Sequence, residues 1–433
     1  MTATTAAKSV FARRESQVRS YCRSFDTVFV SAKGSRMTDV DGREYIDFLA
    51  GCSSLNYGHN DPDMQNALVE HITSDGITHG LDMYTDTKAA FLEAFERIIL
   101  KPRGLDHKVM MTGPTGTNAV EAAMKLARKV TGRETIVAFT NGFHGMTMGA
   151  LAATGNSGKR AGGGMALHGI VRMPYEGALP GVDSLAMIEA MLDNPSSGID
   201  APAAFLIEPV QGEGGLNTAS AEFLRGLSVL ARKHGALMIV DDIQAGIGRT
   251  GAFFSFEDMG FVPDLVPLAK SLSGMGLPFA ALLLRPDLDI WKPAEHNGTF
   301  RGNQHAFVTA RVALEKFWQD DAFAKDVQAK GVRLTARLKS IAGLLGLGDD
   351  SLRGRGMMQG INVGSGALAG DICAEAFRNG LIIETSGAHD EVVKILAPLT
   401  TPDTDLNAGL DILTAAVRTC AAKHAQTPSI AAE

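Results

Sequence analysis

The chain has 433 residues, 45% of them hydrophobic, and a formal net charge of −7. At roughly 100–200 residues per domain, this length suggests two or three domains with ample core. The acidic balance, with no basic run, argues against a nucleic-acid or acidic-membrane surface, and no apolar stretch approaches the ~18 residues of a membrane span.

The opening MTATTAAKSVFARRESQVRS has a slight likeness to a transit peptide. It lacks the apolar core of a secretory signal, and Glu15 interrupts it. It reads as a frayed tail leading into a first helix around Ser16 to Ser24. GSRMTDVDGREYIDFLAG then reads as a β-hairpin, with Asp41-Gly42 as the tight turn and Tyr45, Ile46 and Phe48 as strand-forming bulk. Short apolar strands follow at Lys108 to Met111, Thr135 to Phe139, Ala203 to Ile207 and Ala236 to Val240, with helical stretches between them. Unbroken apolar strands alternating with helices indicate a largely parallel sheet covered on both faces. The strongest helix follows GPTGTN, where Val120, Ala123, Met124 and Ala127 fall at i, i+3, i+4 and i+7 and should face the sheet. RAGGGMALHG near residue 165 is a loop. After residue 310 come long helices and then the strand candidates RGRGMMQGINVG, GLIIETSG and EVVKILAPL, an α+β layout. A disordered tail is expected from about Ala425. Cys22, Cys52, Cys373 and Cys420 are too few and too scattered for a disulfide framework or zinc site. Each is expected to be buried or half-buried, in a protein of the reducing cytoplasm.

Ligands of open α/β sheets sit at the carboxyl ends of the strands. In GPTGTNAVEAAMKLAR, the residues Thr115, Gly116 and Thr117 lie between a strand and a helix start, where free N–H groups and the helix dipole favour a phosphate. Taken alone, the segment reads better as an ordinary helix capped by Thr117 or Asn118. VDDIQAGIGRTG puts Asp241 and Asp242 directly after a buried strand, where a carboxylate needs a partner. A protonated pyridine would serve; a helix cap would also do, and a metal pair lacks further ligands at suitable spacing. PDLVPLAKSLSGMGLP sets Lys270 among apolar and small residues, and a desolvated lysine loses its proton more easily and attacks aldehydes. A lone lysine more commonly snorkels to solvent. Phe143 and His144 follow another strand, where an aromatic could stack on a flat cofactor or belong to the core. Glu208 and Glu213 in LIEPVQGEGG could equally be solvated acids.

In this order along the chain, these segments resemble the class III aminotransferases, fold-type I enzymes that use pyridoxal 5'-phosphate (PLP). The resemblance runs from DVDGREYID to EVVKILAPL. Within the class, the chain is most similar to the diaminobutyrate–2-oxoglutarate aminotransferases of ectoine biosynthesis. The segments ESQVRSYCRSF, LNYGHNDP, DGITHGLDM, FHGMTMGALAATGN, EHNGTFRGN and VVKILAPLT carry that similarity. The implied fold is α/β: a large domain over residues 60–310 with a mostly parallel seven-stranded sheet, and a smaller α+β domain from residues 1–59 and 311–433.

The resemblance also assigns roles. Lys270 is the lysine that holds the cofactor, is freed by substrate and then shuttles the proton. Asp241 partners the pyridine nitrogen, Gln244 the phenolic oxygen, and Ile243 and Phe143 sandwich the ring. Gly116 and Thr117 match the phosphate turn, and Thr299 matches a threonine that reaches the phosphate bound by a neighbouring subunit, so that a homodimer is the minimal unit. Glu213 matches a glutamate that masks a carboxylate-binding arginine, but the arginine position holds Lys394, a compact charge that cannot fork onto a carboxylate. Arg301, where much of the class has glycine, is a substitute cation from the neighbouring subunit or an interface ion pair. Dependence on K+ and higher oligomers are implied by the resemblance alone, with no motif behind either. The expected reaction joins L-glutamate and L-aspartate 4-semialdehyde. Alternatives are another terminal aminotransferase acting on ornithine or 4-aminobutyrate, diaminobutyrate supply for a siderophore, or, remotely, a non-catalytic PLP-binding regulator.

Overall fold

The computed structural model describes residues 3–426. Its centre is a seven-stranded sheet of short strands, the five inner ones buried throughout and the two edge strands partly exposed. In chain order these are β1 (Lys108–Met111), β2 (Ile136–Phe139), β3 (Ile170–Met173), β4 (Ala204–Ile207), β5 (Leu237–Val240), β6 (Leu265–Leu268) and β7 (Ala281–Leu284). The order across the sheet is β1-β7-β6-β5-β4-β2-β3. Only β7 runs antiparallel to its neighbours; the rest pair in parallel. Runs such as IVAF and LMIV are buried throughout because helices cover both faces. The helix Gly116–Thr131 lies on one face, and its Val120, Ala123, Met124 and Ala127 are all fully buried, as their spacing predicts. On the other face, the core includes Phe91, Phe205, Val240, Phe254 and Phe307.

A separate core gathers the long helices Ala322–Gly343 and Asp403–Gln426 around the strands Met358–Asn362 and Val392–Ile395. The hairpin Arg36–Asp39/Glu44–Asp47 forms as expected, and Gly42, at φ 81°, sits in its turn. Its second strand pairs in parallel with Leu381–Ile382, so the two ends of the chain share one sheet.

Three expectations need correction. The first helix is Ala3–Arg14, built on the Ala-rich ATTAAKSVFARR, and between Ser16 and Ser24 only Tyr21–Ser24 is helical. Ala is the best helix former, whereas serines compete with the backbone for hydrogen bonds. Cys22 is exposed, while Cys52 and Cys373 are half-buried and Cys420 is buried. The expected C-terminal tail is helical through Gln426, and its remainder lies outside the described residues. Among the described residues, no helix is long and apolar enough to cross a membrane.

Candidate active site

Side chains at the carboxyl ends of the parallel strands enclose a cavity of about 370 Å³. Thr115, Gly116, Thr117, Phe143, His144, Glu208, Asp241, Ile243, Gln244 and Lys270 all line it. Ten residues drawn from five separate segments thus meet in one place.

Asp241 and Asp242 part company at the end of β5. Asp241 lines the cavity, and its Oδ2 lies 2.7 Å from Nδ1 of the buried His144. Burial works against a charged imidazole, but the hydrogen bond and charge of Asp241 outweigh it and raise the His144 pKa above its ordinary value. Asp242 points the other way and is bonded by the hydroxyl and backbone N–H of Ser255; burial pushes its carboxyl up to about 7. Glu208 accepts the Phe143 backbone N–H at 2.8 Å, and burial pushes its carboxyl upward. It is therefore a buried acceptor that fixes the aromatic, not a solvated acid.

Thr115 is the N-cap of the helix Gly116–Thr131, yet no side chain caps the first turn. This overturns the ordinary capped helix with Thr117 or Asn118 as cap. The Asn118 Oδ1 instead accepts from the Thr115 hydroxyl at 2.8 Å. The first amides remain available for an anion, which the helix dipole favours. Close approach explains two glycines here. A Cβ on Gly116 would stand 3.0 Å from Ile243, and one on Gly145, at φ 130°, 2.3 Å from the Thr117 hydroxyl.

Lys270 does not snorkel to solvent. Its Nζ donates to the Cys52 carbonyl at 2.8 Å and lines the cavity. Its backbone is left-handed, φ 52°, which costs a non-glycine residue about 1–2 kcal/mol and needs outside support. The next residue supplies some of it: the Ser271 hydroxyl donates to the Ser53 carbonyl and accepts the Asn56 N–H. The opposing segment is left-handed too, with Ala50, Gly51, Cys52 and Ser53 at φ between 47° and 69°. Asp47 Oδ1 anchors it by accepting the N–H groups of Leu49 and Ala50. This turn aims the Cys52 carbonyl at Lys270 and, at 3.3 Å, at the Gln244 amide.

Behind Gln244 lies a charged cluster. Lys394 is fully buried and donates to Glu213 Oε1 at 3.0 Å, Glu384 Oε1 at 2.9 Å and the Gly212 carbonyl at 3.3 Å. An ammonium has three N–H donors, and all three are taken. Burial opposes every charge here. For Glu213 the ammonium groups of Lys394 and Lys270 outweigh it and hold the carboxyl low, while for Glu384 burial prevails and the pKa rises. The two carboxylates likewise raise Lys394 against burial. Lys394 is thus a buried counter-ion, not a free cation awaiting a substrate. Arg301 and Thr299 lie apart from this cavity. Arg301 is held to its own chain by the Met111 carbonyl, 3.0 Å away, and by Asn297, and Thr299 is exposed on the same loop.

Residues 19–417 match the family described as aminotransferase class-III. The chain belongs to the class III aminotransferases. One relative, the diaminobutyrate–2-oxoglutarate transaminase of Halomonas elongata, is 56% identical over 93% of this chain and 97% of its own. The ornithine aminotransferase of Toxoplasma gondii superposes with a TM-score of 0.85 at 26% identity, covering 98% of this chain and 97% of that one. A second structure of the Toxoplasma enzyme, with TM-score 0.83 and 26% identity over 98% and 95% of the two chains, has PLP at partial occupancy in its active site.

The cavity of this aminotransferase fits PLP. Asp241 offers a carboxylate to a ring nitrogen, and the uncapped helix start offers amides to a phosphate. The buried Gln244 Oε1 has no hydrogen-bond partner and stands against Gly212, while the amide nitrogen donates to the Cys52 carbonyl and to Glu213. Among the described residues, no group of three or more His, Cys, Asp or Glu could hold a metal ion. Sequence reasoning missed Glu384 and the Cys52 carbonyl. A glutamate inside the apolar run GLIIETSG was the available signal for the first; a backbone carbonyl leaves none.

Proposed function

We propose that this protein transfers the amino group of L-glutamate to the aldehyde carbon of L-aspartate 4-semialdehyde, giving L-2,4-diaminobutyrate and 2-oxoglutarate, as the first step of ectoine biosynthesis in the cytoplasm. The observation that carries the reaction class is the convergence of Lys270, the Asp241–His144 pair and the uncapped turn at Gly116 and Thr117 on one cavity. The substrate assignment is supported by the 56% identity to the Halomonas transaminase over nearly its whole length.

PLP, when bound, supplies an electron sink for the pair left behind when a substrate carbon loses its proton. Gly116 and Thr117 would hold its phosphate, Asp241 its ring nitrogen, Gln244 its phenolic oxygen, and Phe143 and Ile243 its ring. Lys270 would hold it covalently. The Lys270 Nζ, when not so engaged, would move the proton between the substrate carbon and the cofactor carbon. His144 orients the Asp241 carboxylate through its Nδ1 contact, and Leu277, Pro278 and Phe279 keep water from part of the cavity. The same reading divides the chain into a cofactor-binding domain, 60–310, and a smaller domain, 1–59 with 311–433. The two separate cores support this division, although Leu314 and Trp318 still pack with the sheet.

The test is product identification. Holoenzyme supplied with glutamate and aspartate semialdehyde should form 2,4-diaminobutyrate, detected by mass spectrometry. Faster turnover of glutamate 5-semialdehyde or succinate semialdehyde would instead place the protein among other terminal aminotransferases.

A homodimer with shared sites is part of the proposal, with Thr299 and Arg301 completing the site of the neighbouring subunit. Among the described residues Arg301 has no carboxylate partner, and a guanidinium suits bidentate binding of one. Arg301→Ala should therefore raise the KM for glutamate by about tenfold or more, since charge-assisted hydrogen bonds are the strong ones. An unchanged KM would leave Arg301 as an interface residue only. Lys394, with its donors spent, acts through Glu213 on the choice of substrate.

A further inference from the structure

A second cavity, of about 380 Å³, adjoins the first, and Phe143 lines both. Its walls include Asn156, Lys159, Glu213, Ser386 and Asp390. Lys159 stands on the short helix Ser157–Ala161, where the Asn156 side chain accepts its backbone N–H at 3.0 Å. Its Nζ lies 4.4 Å from the centroid of the Phe143 ring. No carboxylate among the described residues pairs with it. The ring face attracts the ammonium and fixes its direction without neutralising it. Glu213 brings the opposite charge to the same cavity. Its bonds from Lys394 and Gln244 both end on Oε1, which leaves Oε2 for another donor.

We propose that this second cavity is the subsite for the non-reacting end of the diaminobutyrate substrate, with Lys159 binding its carboxylate and Glu213 its ammonium. The proposal rests on the reaction proposed above. In that reaction the reacting carbon lies by Lys270, and the far end carries both an ammonium and a carboxylate on one carbon. A site for that end needs one group of each charge at a short distance from the cofactor cavity. Lys394 cannot supply the cation, because its three donors are spent. Arg301 of the same chain lines neither cavity. Lys159 and Glu213 meet the requirement, and Phe143 lines both their cavity and that of Lys270.

Three amines separate the two contacts. 2,4-Diaminobutyrate carries both charges, 4-aminobutyrate lacks the second ammonium, and 1,3-diaminopropane lacks the carboxylate. Each is titrated against holoenzyme without 2-oxoglutarate, following the cofactor's absorbance, or as a competitor of diaminobutyrate where it does not react. Lys159→Ala should raise the half-saturating concentration of diaminobutyrate and 4-aminobutyrate about tenfold and leave 1,3-diaminopropane unchanged. Lys159→Arg, which keeps the charge, should stay near wild type. Glu213→Gln should show the reverse pattern, weakening the two diamines and sparing 4-aminobutyrate. A uniform change across all three amines, or none, in Lys159→Ala overturns the subsite while leaving the reaction intact. A wild-type protein that neither converts nor binds 2,4-diaminobutyrate overturns the reaction and the subsite together.

Discussion

Lys270→Ala is expected to lower kcat by about 10⁴-fold, at the upper end of what a single acid–base group contributes, because one nitrogen both holds the cofactor and moves the proton. Lys270→Arg should fare no better, since a guanidinium stays protonated and is a poor nucleophile. Global stability should change little, because the left-handed backbone at this position is held by Ser271, Ser53 and Asn56 and not by the lysine side chain. Two measurements check this. Steady-state turnover should collapse, and borohydride reduction followed by denaturation should leave the cofactor on the wild-type chain but not on the variant. A kcat within tenfold of wild type would remove Lys270 from the chemistry.

Lys394→Met should produce the largest loss of stability, about 3–5 kcal/mol, because it strands buried charge. Methionine matches the length of lysine, so packing is nearly kept and the effect isolates the charge. Glu213 and Glu384 both approach the Lys394 ammonium within 3.0 Å and would be left facing each other. Without the ammonium, both folded-state pKa values should lie above their unfolded values. The unfolded chain then binds fewer protons between those values, so stability falls as pH rises through that interval. The deficit should accordingly be larger at pH 8 than at pH 5 in denaturant unfolding. Removing one stranded acid as well, in Lys394→Met/Glu384→Leu, should recover part of it, since an apolar replacement of a buried ion pair is often near neutral. Equal losses at both pH values and no recovery would mean that Lys394 acts by shape and not by charge.

This cluster marks where sequence reading stops. Lys394 and Glu213 are both visible in the sequence as departures from, or matches to, a family pattern. Glu384 is not, because its meaning depends on the register in which Glu384–Ser386 pairs with Val392–Ile395, which sets Glu384 directly opposite Lys394. A cross-strand neighbour is defined by a ladder, and a shift of one residue would turn Glu384 to the other face. The same holds for His144 and Asp241, which are distant in sequence yet 2.7 Å apart through the parallel stacking of strands. It holds as well for Arg301, whose guanidinium rests on its own Met111 carbonyl.

What the amino-acid sequence determined by itself has a local cause. The helix after GPTGTN has its buried face at the predicted positions because a 3.6-residue repeat sets which side chains can share a face. The four expected core strands fall within a residue of their bounds, because unbroken apolar runs can be buried only between two covering layers; Ile170–Met173, Leu265–Leu268 and Ala281–Leu284 join them in the sheet from outside those expectations. The ordered series of Gly116, Phe143, Asp241, Gln244 and Lys270 was legible as a resemblance to a family pattern, and strand ends bring such successive loops to one edge of a parallel sheet. Tertiary structure alone decided that a left-handed turn directs the Cys52 carbonyl toward Lys270. It also decided that Lys394 is a spent counter-ion, while among the described residues no carboxylate pairs with Lys159 beside Phe143. Charges and carbonyls act over a few ångströms in any direction, and such distances are set by packing between segments, not by their order along the chain.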